Sequence, residues 1–430
     1  MKFIETLKNV WKIEELRNRI IITLGLLLVY RFGAQVVLPG IDAQQLEGLQ
    51  GNTEDGLLGL LNAFTGGAFA NASVFALGIM PYISASIVVQ LMGIAIPYLQ
   101  KLQKEGASGQ KKITQITRWL TIAICLVQAP GYLASLPALG IPQSAFLLGQ
   151  GGLFYFSSVI ILVTGCIFAM WLGEKITDKG IGNGISLIIM IGIIAQLPTA
   201  FFFEFGARLD SGGLVMFLVE IVFLLLVTIA TILLIQGTRR VPVNFAKKVV
   251  GNKQYGGVRQ YIPLKVNAAG VMPIIFAQAL MFVPITVAGF SESDLTTSFA
   301  AAFADITGFW YNFVFAVLII AFTYFYTAIT VPTNKMADDL KRSGGFIPGI
   351  RPGVATTFYL KQIMKRVTFL GAIMLAMLAT LPNIIEALLH ISSFNGLGTT
   401  SLLILVGVIL DITREIRSIL LTNIYNDMFD

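Results

Sequence analysis

The sequence predicts an all-α polytopic membrane protein. Of its 430 residues, 56% are hydrophobic and only 12% are charged, whereas a soluble domain carries about 25% charged residues. Runs of about 20 mostly apolar residues, the length that crosses a bilayer as a helix, recur along the whole chain. So few charges cannot cover a water-facing surface, which indicates that lipid is the main solvent of this protein.

We expect ten transmembrane helices, preceded by an amphipathic segment at residues 1–19. That segment places Phe3, Leu7 and Trp11 on one helical face among mixed charges, which is typical of a helix at the membrane interface or packed on protein. A shorter apolar segment, 57–70, precedes the second span and is too short to cross. The predicted spans lie near 20–38, 72–98, 116–137, 152–172, 181–203, 213–236, 268–289, 307–331, 367–389 and 399–417.

Lysine and arginine residues orient these spans. All of them except Arg31 and Arg208 fall on one side of the predicted topology, whereas acidic residues fall on both sides. Because short basic loops stay in the cytosol, we expect both termini to be cytosolic. The net charge of +7 is then explained by basic residues facing anionic lipid, without a nucleic-acid ligand.

Two cytosolic connections, 238–266 and 332–366, are far longer than the two to eight residues that usually join helices. The first has alternating apolar residues near each of its two ends and Gly256-Gly257 between them. This pattern predicts a β-hairpin. The second has a centre that is dense in glycine and proline, which indicates turns. Both are basic, which fits either solvated cytosolic loops or a docking platform for an acidic or RNA-rich partner.

Residues for coupling chemistry or catalysis are scarce. Of the carboxylates, only Glu220 lies well inside a predicted span, and its distance from the outer end favours an interfacial position. The chain has Cys125 and Cys166 inside apolar runs and a single histidine, His390, so a His/Cys zinc site is not expected. Phosphate-binding and nucleophile motifs are lacking. We therefore expect neither enzymatic activity nor a cofactor or metal.

Six motifs follow one another along the chain. They are GGAF at 66–69, FALGIMPYISAS at 75–86, GIGNGIS at 180–186, LKVN at 264–267, GIRPG at 349–353 and GTTSLLI at 398–404. In this order they resemble the SecY family, the central subunits of the bacterial SecYEG protein-conducting channel. The resemblance runs along almost the whole chain.

The resemblance implies two inverted five-helix halves around a central pore. The N-terminal half is expected at 20–203, the C-terminal half at 204–417 and a cytosolic tail at 418–430. The segment 57–70, with Phe64, Gly66 and Gly67, would be a plug in the outer funnel. A constriction ring of aliphatic side chains would comprise Ile79, Ile83, Ile185, Ile189, Ile275 and Ile404.

The resemblance also assigns a lateral gate and docking residues. Gln90 and Thr117 would be among the polar residues that line a gate between spans 2–3 and spans 7–8. Partner docking in the two long loops would use Arg239, Arg240, Lys253 and Arg351. The chain departs from some relatives at the tip of the first loop, where Asn252-Lys253 replaces two adjacent arginines, and this lower charge predicts weaker contact with ribosomal RNA.

The implied function is a channel that passes unfolded secretory polypeptides across the bacterial inner membrane and releases hydrophobic segments into lipid. The implied partners are the SecE and SecG subunits, the SecA motor ATPase, the ribosome, unfolded preproteins, nascent membrane proteins and membrane lipids. The alternatives are a small-solute secondary transporter, which needs ionisable residues within the membrane, and an intramembrane enzyme, which needs clustered catalytic residues. The segment 290–306 has no interpretation.

Overall fold

The computed structural model describes Trp11 and residues 13–46, 56–137, 141–147, 151–210, 213–245, 248–250, 253–255, 259–288, 308–389 and 399–426. The predicted amphipathic segment lies largely outside these residues, as do His390 and the outer segment 290–306. The C-terminal tail is described as far as Asn426, as the end of a helix.

Helices dominate the described residues. They are α1 (Glu14–Gly33), α2 (Gly56–Thr65), α3 (Met80–Ala95), α4 (Pro97–Lys104), α5 (Ala107–Ser135), α6 (Gly152–Lys179), α7 (Gly184–Asp210), α8 (Leu214–Gln236), α9 (Met272–Ala288), α10 (Phe309–Thr330), α11 (Thr333–Arg342), α12 (Val354–Leu389) and α13 (Thr399–Asn426). Apart from the short helices α2, α4 and α11, each overlaps one of the ten predicted spans.

Length and apolarity alone identify fewer spans. Within the described residues, five helical stretches are long and apolar enough to cross a membrane, or six if the bent pair α3 and α4 is one span. Helices α7 and α9 contain shorter apolar stretches, Gly184–Thr199 and Met272–Met281. Helices α1 and α13 extend beyond their apolar runs into turns that carry charged residues. These charged residues lower the mean hydropathy of each helix.

Several helix ends differ from the predicted span ends. The second span was expected from residue 72, but successive turns occupy 66–79 and α3 begins at Met80. It ends at Ala95, because Pro97 starts the separate helix α4. Helix α12, which contains the ninth predicted span, begins at Val354 and not at the predicted residue 367. Helix α13, which contains the tenth, continues to Asn426. Hydropathy locates only the apolar run, whereas the helical backbone continues into polar turns.

The first long loop forms the predicted β-hairpin. Strand β1 (Thr238–Phe245) pairs antiparallel with β4 (Arg259–Lys265), and β2 (Lys248–Val250) pairs with β3 (Lys253–Tyr255). Because Val250 lies opposite Lys253, the chain reverses between these two residues. The expected reversal at Gly256-Gly257 is therefore wrong. Those glycines fall between β3 and β4, outside the described residues.

The two long loops pack together into one body. In the second loop, α11 precedes the short strand β5 (Gly345–Phe346), which pairs with the end of β1. We call β1, β4, β5, α11 and the first turns of α12 the two-loop module. It has an apolar core of its own, formed by Val241, Val243, Leu264, Ala337, Leu340, Ile347, Leu360 and Met364. Each loop thus holds the other in place.

A central cluster of buried apolar side chains joins the membrane helices. It draws on α1, α2, α3, α6, α7, α8, α9, α10, α12 and α13. A second cluster joins α5 and α6 to the segments that follow α1 and α2. Backbones approach closely in places: a Cβ atom on Gly165 of α6 would lie 2.1 Å from the carbonyl oxygen of Val74.

We predict that Gly165→Ala destabilises the protein by about 1–3 kcal/mol, because the added methyl group overlaps the Val74 backbone. The matched control is Gly25→Ala in α1, where an added Cβ meets nothing within 4 Å. That change should be neutral or stabilising by up to about 1 kcal/mol through helix propensity. The thermal unfolding midpoints of the two purified variants check this, and equal midpoints would contradict it.

Candidate functional site

All six isoleucines of the predicted ring belong to the central cluster or border it. Five of them are buried in it, namely Ile79, Ile83, Ile189, Ile275 and Ile404, and the partly buried Ile185 packs against the cluster. They come from the start of α3 and from α7, α9 and α13, so the fold joins positions from both ends of the chain. Their role as a pore constriction stays a prediction.

The turn before α3 positions the first two isoleucines. Gly78 has a φ of 54°, in the left-handed region that glycine adopts readily. A Cβ atom at Gly78 would lie 2.8 Å from the Cγ2 atom of Thr65 at the end of α2. The Ile83 N–H then donates to the Ile79 carbonyl oxygen at 3.1 Å. The end of α2, in the predicted plug segment, therefore lies directly against the turn before α3.

The GIGNG turn positions the next two. The Asn183 side-chain Oδ1 accepts hydrogen bonds from the N–H groups of Ile185 at 3.1 Å and Ser186 at 3.3 Å, which caps the N-terminus of α7. A Cβ atom on Gly184 would lie 2.0 Å from the carbonyl oxygen of Gly173. Only glycine therefore allows α7 to start this close to α6.

The same turn is bound to two distant helices. The Gly182 N–H donates to Glu415 Oε2 of α13 at 2.8 Å, and the Ile181 N–H donates to Thr23 Oγ1 of α1 at 3.1 Å. These partners are 233 and 158 residues away in sequence. The roles of Glu415 and Thr23 could not be predicted from the sequence, because a side chain that binds a distant backbone group leaves no local motif.

The predicted plug contains a short helix, α2, that ends in two glycines. Gly66 and Gly67 have φ values of 69° and 88°, so they end the helix in the left-handed conformation that is common at helix C-termini. Phe64 is buried in the central cluster. Helix α2 contacts α7 and α13, two of the helices that carry ring positions. Its gating role stays a prediction.

The two predicted gate residues lie on neighbouring helices. Gln90 of α3 is half-buried and donates to Ser86 Oγ at 3.0 Å. Thr117 of α5 is buried and donates to the Ile113 carbonyl oxygen at 3.0 Å. Helix α3 packs against both α5 and α9. Each side chain thus has a hydrogen-bond partner within its own helix. The role of both residues at a lateral gate stays a prediction.

The predicted docking residues lie on or beside the two-loop module. Arg239 and Arg240 are exposed on β1, and Arg351 is exposed in the turn before α12. Lys253 lies on β3, and its side chain is outside the described part of the chain. Because β1 pairs with β5, the exposed arginines of both loops belong to one body.

Known proteins match the chain along nearly its full length. A family model described as SecY matches residues 73–413. The protein translocase subunit SecY of Synechocystis sp. is 39% identical, in an alignment that covers 99% of this chain and 96% of that relative. The chain belongs to the SecY family. The SecY-family subunit of Streptomyces scabiei is 39% identical and covers 95% of both chains.

Solved structures share the fold of this SecY-family chain. A structure described as a protein conducting channel has a TM-score of 0.63 at 18% identity and covers 94% of this chain and 92% of its own. Sec61 in a canine ribosome–channel complex has a TM-score of 0.57 at 17% identity, with coverage of 94% and 92%. The predicted all-α fold class is confirmed: the described residues are mostly helical, they share the fold of these channel structures, and the ten helices that overlap the predicted spans are consistent with the SecY-family architecture.

One candidate coupling residue of the SecY-family chain has a structural partner. Arg208 at the end of α7 pairs with Glu220 of α8, with 2.8 Å between Nη2 and Oε1. The Glu220 side chain is only 4% exposed, so it is buried against protein, and its expected interfacial depth stays a prediction. The pair joins two helices that are consecutive in the chain.

We predict that Arg208→Met destabilises the protein by about 3–5 kcal/mol, because it removes the charge that compensates for the buried Glu220 carboxylate. The double variant Arg208→Met/Glu220→Leu should recover most of that loss, since it buries no charge. Thermal unfolding of the purified variants measures both effects. A double variant as unstable as the single one would show that charge compensation is not the cause.

Proposed function

We propose that this chain is the protein-conducting subunit of a bacterial translocase. It passes unfolded secretory polypeptides across the inner membrane and releases hydrophobic segments sideways into lipid. The observation that carries the proposal is the apolar closure at the centre of a SecY-family chain. The six isoleucines of the proposed ring lie in or against one buried apolar cluster, and the short helix α2 contacts α7 and α13, which carry three of them.

A ring of isoleucines suits a pore that must pass polypeptide and retain ions. A constriction lined by methyl groups loses water easily, so an ion faces a large desolvation barrier. Branched aliphatic side chains can still move apart around an extended chain and close behind it. In this proposal Ile79 and Ile275 are ring members, and the 57–70 segment is the plug that occupies the pore at rest.

Contact between α3 and α9 supports a lateral gate at this seam. When the two helices separate, a segment in the pore is exposed to lipid. A segment rich in leucine, isoleucine and phenylalanine gains free energy by entering the lipid, whereas a charged segment stays in the pore and crosses. Gln90 and Thr117 would contribute polar lining to this seam.

Partners supply the energy and complete the complex. The exposed arginines of the two-loop module, Arg239, Arg240 and Arg351, suit docking onto the SecA motor or onto ribosomal RNA, whose phosphates attract basic side chains. A ribosome is part of the solved canine Sec61 and yeast Ssh1 complexes that share this fold. SecE and SecG are the proposed subunits within the membrane. The asymmetric placement of lysine and arginine supports cytosolic termini.

Crosslinking from inside the proposed ring tests the function directly. A photoreactive residue replaces Ile79 or Ile275, and a secretory chain is stalled in transit through membranes that contain the complex. We expect crosslinks to the stalled chain from both positions, because an extended polypeptide must touch every side of a narrow constriction. The control position is Leu225 of α8, which is 57% exposed on the outside of the chain.

Crosslinks from Leu225 alone, with the client demonstrably engaged, would show that the ring assignment is wrong. If the purified complex with its SecE subunit also failed to translocate a preprotein, the small-solute transporter would replace the channel as the favoured function.

We predict that Arg351→Glu lowers partner-driven translocation roughly tenfold, because reversing one charge in a docking surface slows association with an anionic partner. The matched control is Arg342→Glu, at an exposed arginine of the same loop at the end of α11. Translocation rates of the reconstituted variants measure the effect. Equal losses in both variants would mean that only net charge matters and that Arg351 has no particular docking role.

A further inference from the structure

Arg31 departs from the charge pattern of the chain. It is one of only two basic residues on the predicted outer side, and the other, Arg208, pairs with Glu220. Arg31 instead lies at the end of α1, half-buried, and its guanidinium Nη1 donates a hydrogen bond to the carbonyl oxygen of Gly66. A permanent charge near the membrane is thus bound to the backbone of the proposed plug.

Other side chains bind the same end of the plug. Gln196 of α7 donates from Nε2 to the Asn62 carbonyl oxygen at 3.3 Å. The Tyr30 hydroxyl lies 3.5 Å from the Thr65 carbonyl oxygen, a long contact that contributes less. The last carbonyl groups of a helix have no partners within it and carry the negative end of the helix dipole. A cation that donates hydrogen bonds is therefore well suited to this end of α2.

Close backbone packing fixes the geometry of this contact. A Cβ atom on Gly66 would lie 2.9 Å from the Cα atom of Gly192 and 3.3 Å from Arg31 Nη1. A Cβ atom on Gly192 would lie 3.0 Å from the carbonyl oxygens of Ala63 and Phe64. The end of α2 therefore reaches the Arg31 guanidinium only when its backbone lies directly on α7.

We propose that Arg31 is a latch for the plug. This proposal rests on the channel function proposed above. The hydrogen bond from Arg31 to Gly66 holds α2 in its seated position against α7, and Gln196 supports the same end of α2. The bond ends on a backbone carbonyl group, so it depends on where the plug backbone lies and not on its side chains. When the plug leaves, water can replace the lost partner on both sides, which keeps release reversible.

Hydrogen bonds to charged groups change an equilibrium by roughly one to two decades. Loss of the latch should shift the seated-to-released ratio of the plug by at least tenfold, while the ring and the docking arginines are left as they are. The latch is a positioning element, so its effect should appear in the resting channel before any client is present.

The test uses the complete complex in vesicles of phosphatidylethanolamine and phosphatidylglycerol. Thr65, which is buried at 1% exposure, is replaced by cysteine, and labelling by a membrane-impermeant maleimide from the outer side is timed. The native Cys125 and Cys166 are buried, and the protein without Thr65→Cys measures their background. Chloride efflux from the same vesicles reports the seal.

We expect Arg31→Met to label at least tenfold faster than the parent and to leak chloride. Arg31→Lys keeps a charged donor and should recover part of the seal. Gln196→Leu should have an intermediate effect, and it carries the test if Arg31→Met does not assemble. Arg342→Met, the same change at an exposed arginine at the end of α11, is the matched control and should change little.

Unchanged labelling in assembled Arg31→Met and Gln196→Leu channels would overturn the latch, as would an Arg31→Lys channel that leaks like Arg31→Met. The stalled-client crosslinks from Ile79 and Ile275 are measured in the same preparations. If those crosslinks persist while labelling is unchanged, only the latch is wrong. If the parent complex gives no crosslinks and no translocation, the channel function itself is wrong.

Discussion

Close contact between backbones is the constraint on which the rest of this structure depends. Lipid tails are as apolar as leucine side chains, so membrane helices gain little from burial alone and depend on close packing. Glycine provides that packing where Gly184 meets Gly173 and where Gly66 meets Gly192. The first contact sets the start of α7, and with it the positions of two isoleucines of the proposed ring. The second sets the position of α2, the proposed plug helix.

Polar side chains reinforce this packing by binding the backbone of distant segments. Glu415 and Thr23 bind N–H groups of the GIGNG turn, and Arg31 and Gln196 bind carbonyl groups at the end of α2. Such bonds depend on where a backbone lies, so they respond to movement of a whole segment. This makes them suited to hold two arrangements of a channel in balance, which a fully apolar interface would do only through packing.

Much of the architecture could be predicted from the chain. Apolar runs indicated the helices, and alternating residues indicated the hairpin of the first loop. Helix ends and the point of reversal could not be predicted equally well, because polar turns continue α12 and α13 beyond their apolar runs and the register of β2 and β3 decides where the chain turns. The burial of Glu220 in an ion pair could not be predicted, because its partner Arg208 has no sequence signature. The six ring isoleucines were selected by family motifs, since isoleucine is ordinary in any membrane helix.

The sequence by itself determined that lipid is the main solvent of this protein, that the chain is helical and that it belongs to the SecY family. These properties follow from composition, period and motif, each of which is local or additive along the chain. Tertiary structure alone decided which side chains meet. It joined the two cytosolic loops into one module, brought α2 against α7 and α13, and gave Arg31 a backbone partner 35 residues away. Contacts between distant segments depend on how whole helices pack, and packing is a property of shape that no single stretch of sequence carries.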